Sequence, residues 1–178
     1  MDAVICDYNY VFDPVVRLRR FFGAGTGRGE HLFLIDEAHN LVERGRQMYS
    51  ASVYKEDFLE IKRLIKPHVH DVRLTKALDR CNRQLLAFKR ECSGDYLELA
   101  NVGNFLISMM NLVGELERFL QDLRNGELRK KVLEFYFSAK SFVSIYEIMD
   151  ENYMIYARHT GDGRFMLKLF CVNPAVNL

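Results

Sequence analysis

The stretch Leu32-Phe33-Leu34-Ile35-Asp36-Glu37-Ala38-His39-Asn40 decides how this chain is read. Four apolar residues run into two adjacent carboxylates, a small residue and an imidazole. A short apolar run suits a strand buried on both faces of a parallel sheet. Ligands of open α/β sheets bind just beyond the carboxyl ends of the strands, so acids at that end stand where a ligand would sit. A carboxylate there can reach a magnesium ion, usually through water, and its neighbour can orient an attacking water. Asp36 and Glu37 fit those two roles. His39 is placed to sense a γ-phosphate. The pattern is that of a Walker B strand followed by D-E-A-H. The competing reading is a buried strand ending in two solvated acids that cap the next helix, a common and mildly stabilising arrangement. The full string, with the helix-like start Asn40-Leu41-Val42-Glu43-Arg44 behind it, favours the first reading.

Upstream, residues 2–6 read as another strand. Asp13-Pro14 reads as an N-cap followed by proline at the first helical position, opening a short helix to about Phe22. Residues 23–30, GAGTGRGE, read as a mobile glycine-rich connector. A phosphate-binding Walker A loop needs Gly-Lys-Ser/Thr at its end, after a strand and before a helix. This loop has neither the residues nor the position, and no other stretch matches. The Walker B strand covers 32–36, and a helix is expected from about 39 to 47.

Downstream, residues 54–158 carry helical periodicity. Leu74, Leu78, Cys81, Leu85 and Phe88 recur at steps of three and four. So do Phe105, Met109, Leu112, Leu116, Phe119 and Leu123. Val132, Phe135, Tyr136, Phe142, Val143, Tyr146 and Met149 cover a broader face, which predicts a central helix. A shorter helix over about 55–66 ends at Pro67, and Ser93-Gly94-Asp95 and Asn125-Gly126 break the long ones. Arg164–Val172, RFMLKLFCV, reads as a strand introduced by the turn Gly161-Asp162-Gly163.

Two stretches, DAVICDYNYVFDP (2–14) and HLFLIDEAHNLVERGRQMYSA (31–51), resemble the XPD/DinG-type superfamily 2 DEAH-box DNA helicases, most closely their bacterial members. The likeness covers the first 53 residues and returns at LKLFCVNPAVNL (167–178). It implies a mainly α chain with a small β part, in three pieces. Residues 1–48 would be a partial RecA-like motor segment with the DEAH box. Residues 49–162 would be an inserted helical, arch-like domain, and 163–178 a strand returning to the motor. It also implies Glu37, Asp36 and His39 as catalytic residues, with magnesium held by Asp36 and Glu37. ATP and magnesium would be the cofactors of the complete enzyme. A 4Fe–4S cluster is possible in the parent, but the family's cluster cysteines lie upstream of the DAVICDYNY region. The partners would be single-stranded or forked DNA and the remaining parts of the motor. The family's phosphate cradle and arginine finger have no counterpart in these 178 residues. The chain is therefore expected to be an internal segment of a larger helicase, inactive in isolation.

At 49% hydrophobic and 28% charged, the chain can build a core. A net charge of +1 gives no global nucleic-acid signature, so any DNA contact must use local patches. No apolar run reaches the ~18 residues of a membrane span, and the start lacks the basic and apolar regions of a signal peptide. A cytoplasmic protein without a membrane partner is expected. Cys6, Cys81, Cys92 and Cys171 form no C-x-x-C pair and read as free buried thiols.

Two features are candidates for DNA contact. Tyr8, Asn9 and Tyr10 follow the first predicted strand and can touch a backbone or stack on a base; alternatively their rings pack on the next helix. Arg73, Lys76, Arg80 and Arg83 recur at steps of three and four, opposite the apolar stripe of their helix, and can follow phosphates. Alternatively they form a solvated face whose charge Asp71 and Asp79 partly cancel. His68 and His70 flank Val69 but have no third ligand nearby, and His31 and His159 sit near turns without an evident role. Two functions remain: the DEAH-plus-arch part of an ATP-dependent DNA helicase, or a non-catalytic helical DNA- or protein-binding module with a remnant DEAH strand.

Overall fold

A computed structural model of the chain describes residues 3–22, 31–69, 72–124 and 126–176. Its body is helical, with a four-stranded antiparallel sheet. Two single helical turns, α1 (Asn9–Phe12) and α2 (Arg19–Phe22), come first, and α3 (Leu41–Met48) follows the DEAH box. The body then runs β1 (Ala51–Tyr54), α4 (Lys55–Ile65), α5 (Val72–Glu91), β2 (Leu97–Glu98), α6 (Gly103–Asp122), α7 (Gly126–Ile148), β3 (Tyr153–His159) and β4 (Phe165–Cys171).

Each long helix buries the stripe its sequence spells. In α5, Leu74, Ala77, Leu78, Cys81 and Leu85 are buried, and Phe88 packs beside them. In α6 the buried set is Phe105, Ser108, Met109, Leu112, Leu116 and Leu120. α7 buries Leu128, Val132, Phe135, Tyr136, Ala139, Phe142 and Ile145, and touches α4, α6, β1 and β4, as its broad face predicts. Where these helices meet, four phenylalanines interlock edge to face. Phe58 lies 5.1 Å from Phe135 and 6.5 Å from Phe105, and Phe105 lies 5.7 Å from Phe142. Such edge-on pairs add to the value of their buried area. At the far end of α6, the Arg129 guanidinium donates to the Leu120 carbonyl and, at 3.0 Å, to that of Leu123. It thereby satisfies carbonyls that a helix terminus leaves without partners.

The sheet order is β1-β4-β3-β2, every neighbour antiparallel. Residues alternate between faces along a strand. Ala51, Val53, Ile155, Ala157, Phe165, Leu167, Leu169 and Cys171 are buried against the helices. β3 and β4 form a hairpin whose turn places Gly163 at φ 82°, a conformation glycine adopts without steric cost. The first turn of α4 grips the hairpin. Glu56 accepts the Phe165 N–H at 2.9 Å, and Asp57 accepts from the Arg164 guanidinium. Burial pushes the Asp57 carboxyl up, against the pull of Arg164.

The sequence reads a strand over 164–172, within the stretch 163–178 expected to return to a motor domain. The strand forms there as β4, between β1 and β3, and its inward Phe165, Leu167 and Leu169 join the helical core. The region expected to be a helical domain, 49–162, also holds β1, β2 and β3. The strands expected at 2–6 and 32–36 do not form among the described residues. Residues 3–7 and 31–35 make no sheet pairing, and Leu32 and Leu34 are 90% and 93% exposed. A run that is apolar on both faces is stabilised as a strand by neighbours that cover it, and among the described residues no strand lies beside these two. Asp13 does cap, accepting the N–H groups of Val15 and Val16 at 2.8 and 3.2 Å. The turn it opens stops at Leu18, whose N–H turns back to the Tyr10 carbonyl, so no continuous helix runs to Phe22. The predicted helix 39–47 is realised as a 3-10 turn, Ala38–Asn40, followed by α3. The glycine-rich connector, 23–30, lies outside the described residues, as do His70, Asp71 and Asn125.

Candidate functional site

The DEAH residues sit on an exposed turn. Residues 31–35 approach it as neither helix nor strand, and Glu37 takes left-handed backbone angles, φ 51° and ψ 39°. That conformation costs a residue other than glycine roughly 1 kcal/mol, and it turns consecutive side chains sharply apart. One Asp36 carboxylate oxygen accepts the Glu37 N–H at 2.9 Å, and the Glu37 carbonyl accepts from Asn40 at 2.9 Å. His39 Nε2 stands 3.3 Å from Glu37 Oε2. All three predicted catalytic residues are therefore brought together, and all face solvent.

The donor set fits half of a magnesium–nucleotide site. Magnesium takes hard oxygen ligands, typically one or two carboxylates with waters and phosphate oxygens completing the octahedron. Asp36 keeps one carboxylate oxygen free of the backbone contact, and Glu37 is adjacent. Among the described residues no three His, Cys, Asp or Glu converge on a point. A magnesium–nucleotide site needs no such protein cage, because the phosphates supply ligands.

Of the three candidate residues upstream, Tyr8 is the best placed. Its hydroxyl donates to the Asp36 carbonyl, stitching the first segment to the DEAH turn. The Asn9 N–H is held by Asp7 Oδ1 at 3.0 Å. Tyr10 is exposed, whereas Tyr8 and Asn9 are partly buried. Tyr49 ties the same segment to the body by donating to the Phe12 carbonyl at 2.8 Å, and Arg46 reaches the Val172 carbonyl at 3.2 Å.

The basic row forms on α5. Arg73, Lys76, Arg80 and Arg83 are all exposed, on the side away from Leu74, Leu78, Cys81 and Leu85. Asp79 does not cancel their charge. It is taken up by Lys62 of α4, with Nζ 2.6 and 2.8 Å from its two oxygens. The row also continues. Exposed Ala87 and Arg90 extend the same steps of three and four, so Arg90 belongs to it. That signal was present in the sequence, interrupted only by the neutral Ala87.

His68 lies exposed in the 3-10 turn Lys66–His68. All four cysteines are free. Cys81 and Cys171 are buried, as expected, but Cys6 is exposed because its predicted strand does not form, and Cys92 is half-buried. Burial pushes the Cys81 thiol up to about 12 and raises Cys171 as well, which keeps both thiols protonated and unreactive near neutral pH. Among the described residues no helix is long and apolar enough to cross a membrane. The sequence matches no protein-family model and no curated protein.

Proposed function

We propose that this chain is the part of an XPD/DinG-type ATP-dependent DNA helicase that supplies the Walker B/DEAH residues together with an arch-like helical body. The observation that carries the reading is the DEAH turn. Asp36, Glu37 and His39 stand together at the carboxyl end of an apolar segment that joins no sheet among the described residues. A short apolar run suits a strand buried in a parallel sheet, and a RecA-like sheet would supply its neighbours. In the complete motor Asp36 would hold the magnesium of a bound nucleotide, which screens charge on the phosphates. Glu37 would orient the attacking water, and His39, already 3.3 Å from Glu37, would couple that carboxylate to the rest of the motor. The row from Arg73 to Arg83 would run along a DNA strand.

A second reading is favoured by one observation. β4 is a central strand of the body's own sheet, paired on both sides by β1 and β3. This is what a non-catalytic DNA- or protein-binding module with a remnant DEAH strand would require. ATP hydrolysis separates the two. The isolated chain should show none, and turnover by the isolated chain that is lost on Glu37→Gln would refute the helicase-segment reading as framed. Joined with the parts that carry Walker A and the second motor domain, it should hydrolyse ATP in a Glu37-dependent manner.

A further inference from the structure

The sheet buries one face against α4, α5 and α7, and its other face has an unusual composition. The outward positions are Ser52 and Tyr54 on β1, Met166, Lys168 and Phe170 on β4, Met154, Tyr156 and Arg158 on β3, and Tyr96 and Glu98 at β2. An antiparallel sheet face left to water is ordinarily polar. Here four of ten positions are aromatic. Tyr96, Tyr156 and Phe170 form a continuous file, with ring centroids 6.2 and 6.4 Å apart. Tyr96 is 54% exposed. The cations are interleaved with the rings: Lys168 Nζ lies 5.0 Å from the Phe170 ring, and the Arg164 guanidinium 3.9 Å from the Tyr54 ring. Arg164 is paired with Asp57, but Lys168 and Arg158 have no carboxylate partner among the described residues. Glu98 is the single acid on the face, at its edge.

We propose that this outer sheet face is a stacking platform for single-stranded DNA. Rings that present a π-face take any base, and interleaved cations meet the phosphates. A platform four strands wide spans about 14 Å at the spacing of paired strands, room for a few nucleotides. Row by row, Lys168 lies opposite Tyr156, Phe170 opposite Met154 and Met166 opposite Arg158, so each central strand carries a ring next to a cation. A peptide partner would gain little from unpaired cations flanking flat rings, whereas a polyanion carrying planar bases matches both. The choice of DNA over RNA rests on the helicase reading; the platform itself does not.

The test uses the full chain and a fluorescein-labelled thymidine hexanucleotide, read by anisotropy at low salt. Tyr156→Leu and Phe170→Leu should each lower affinity about fivefold to hundredfold, while Tyr156→Phe, which keeps the ring, should bind as the native chain does. Lys168→Gln should flatten the dependence of log affinity on log salt by about 0.7. Circular dichroism confirms that each variant is folded. Leucine variants that are folded and bind unchanged, or a native chain that binds no hexanucleotide, would overturn the platform. Tighter binding of the uridine hexaribonucleotide would overturn the assignment to DNA. ATP turnover plays no part in these readouts, so the helicase reading can fail while the platform stands, and the reverse.

Discussion

Neutralising Arg80 and Arg83 should change how DNA binding responds to salt, by an amount set by the geometry of α5. Lys76, Arg80, Arg83 and Arg90 share one exposed helix face and have no carboxylate partner among the described residues. At 1.5 Å per residue the row from Lys76 to Arg90 is about 21 Å long, enough to lie along several phosphates. Each phosphate neutralised on a single strand contributes about 0.7 to the slope of log affinity against log salt. Four cations therefore contribute about 2.8, and raising salt fourfold weakens their share of binding about 50-fold. With Arg80→Gln and Arg83→Gln, the contribution falls to about 1.4, and the same salt step costs only about sevenfold. Fluorescence anisotropy with a labelled twenty-nucleotide strand across a salt series gives both slopes. A slope that the double substitution leaves unchanged would remove α5 from the DNA path, and the row would then be an ordinary solvated face.

The remaining predictions concern stability. Phe105 is fully buried and meets Phe58, Phe88 and Phe142 edge-on, so Phe105→Ala should cost about 3–5 kcal/mol. Leu34→Ala at a 93% exposed position should cost under about 0.5 kcal/mol. Urea denaturation measures both, and a Phe105→Ala cost below about 1.5 kcal/mol would contradict the placement of that ring. The thiol of Cys81 should make the fold alkali-sensitive. Its folded pKa, about 12, lies above the unfolded value of about 8.5, so the unfolded chain gives up its proton first. Stability is then fully present below about pH 8.5 and falls as pH rises toward about 12, by at most about 1.4 kcal/mol per pH unit. Raised values at Cys171, Tyr49 and Tyr153 act in the same direction. Cys81→Ala should therefore flatten the fall in urea midpoint between pH 8.5 and 10.5 without abolishing it. An unchanged pH profile in that variant would refute burial of the thiol as its cause.

The long helices were legible because a helix face repeats at short range. Leu74, Leu78, Cys81 and Leu85 announce their own burial without knowledge of any partner. Strands were harder, because what makes a strand is its neighbour. β4 was recognisable by its composition, but its partners lie 114 residues upstream, at Ala51–Tyr54, and across the hairpin, and nothing local names them. β1 has only four residues, too few for alternation to stand out. β3 does alternate, with Ile155 and Ala157 inward and Tyr156 and Arg158 outward, yet the helical layout expected from the family likeness absorbed it. The same dependence explains the apolar runs before Asp7 and Asp36. Their composition fits buried strands, but burial belongs to the sheet that would receive them. The candidate site was the reverse case: Asp36, Glu37 and His39 are contiguous, so a single turn brings them together as the sequence suggests. The outer sheet platform draws Tyr96, Tyr156 and Phe170 from three strands and needed the register to be seen.

Helicase membership is tested most directly by DNA-stimulated ATP hydrolysis in the native assembly that carries these 178 residues, purified from its source with and without Glu37→Gln. Magnesium-dependent turnover is predicted for the native assembly, and a fall of about 10²-fold or more for the variant, the usual cost of removing a group that activates the attacking water. An assembly without ATP turnover, or one indifferent to Glu37→Gln, would contradict the assignment of Asp36 and Glu37 to a working motor.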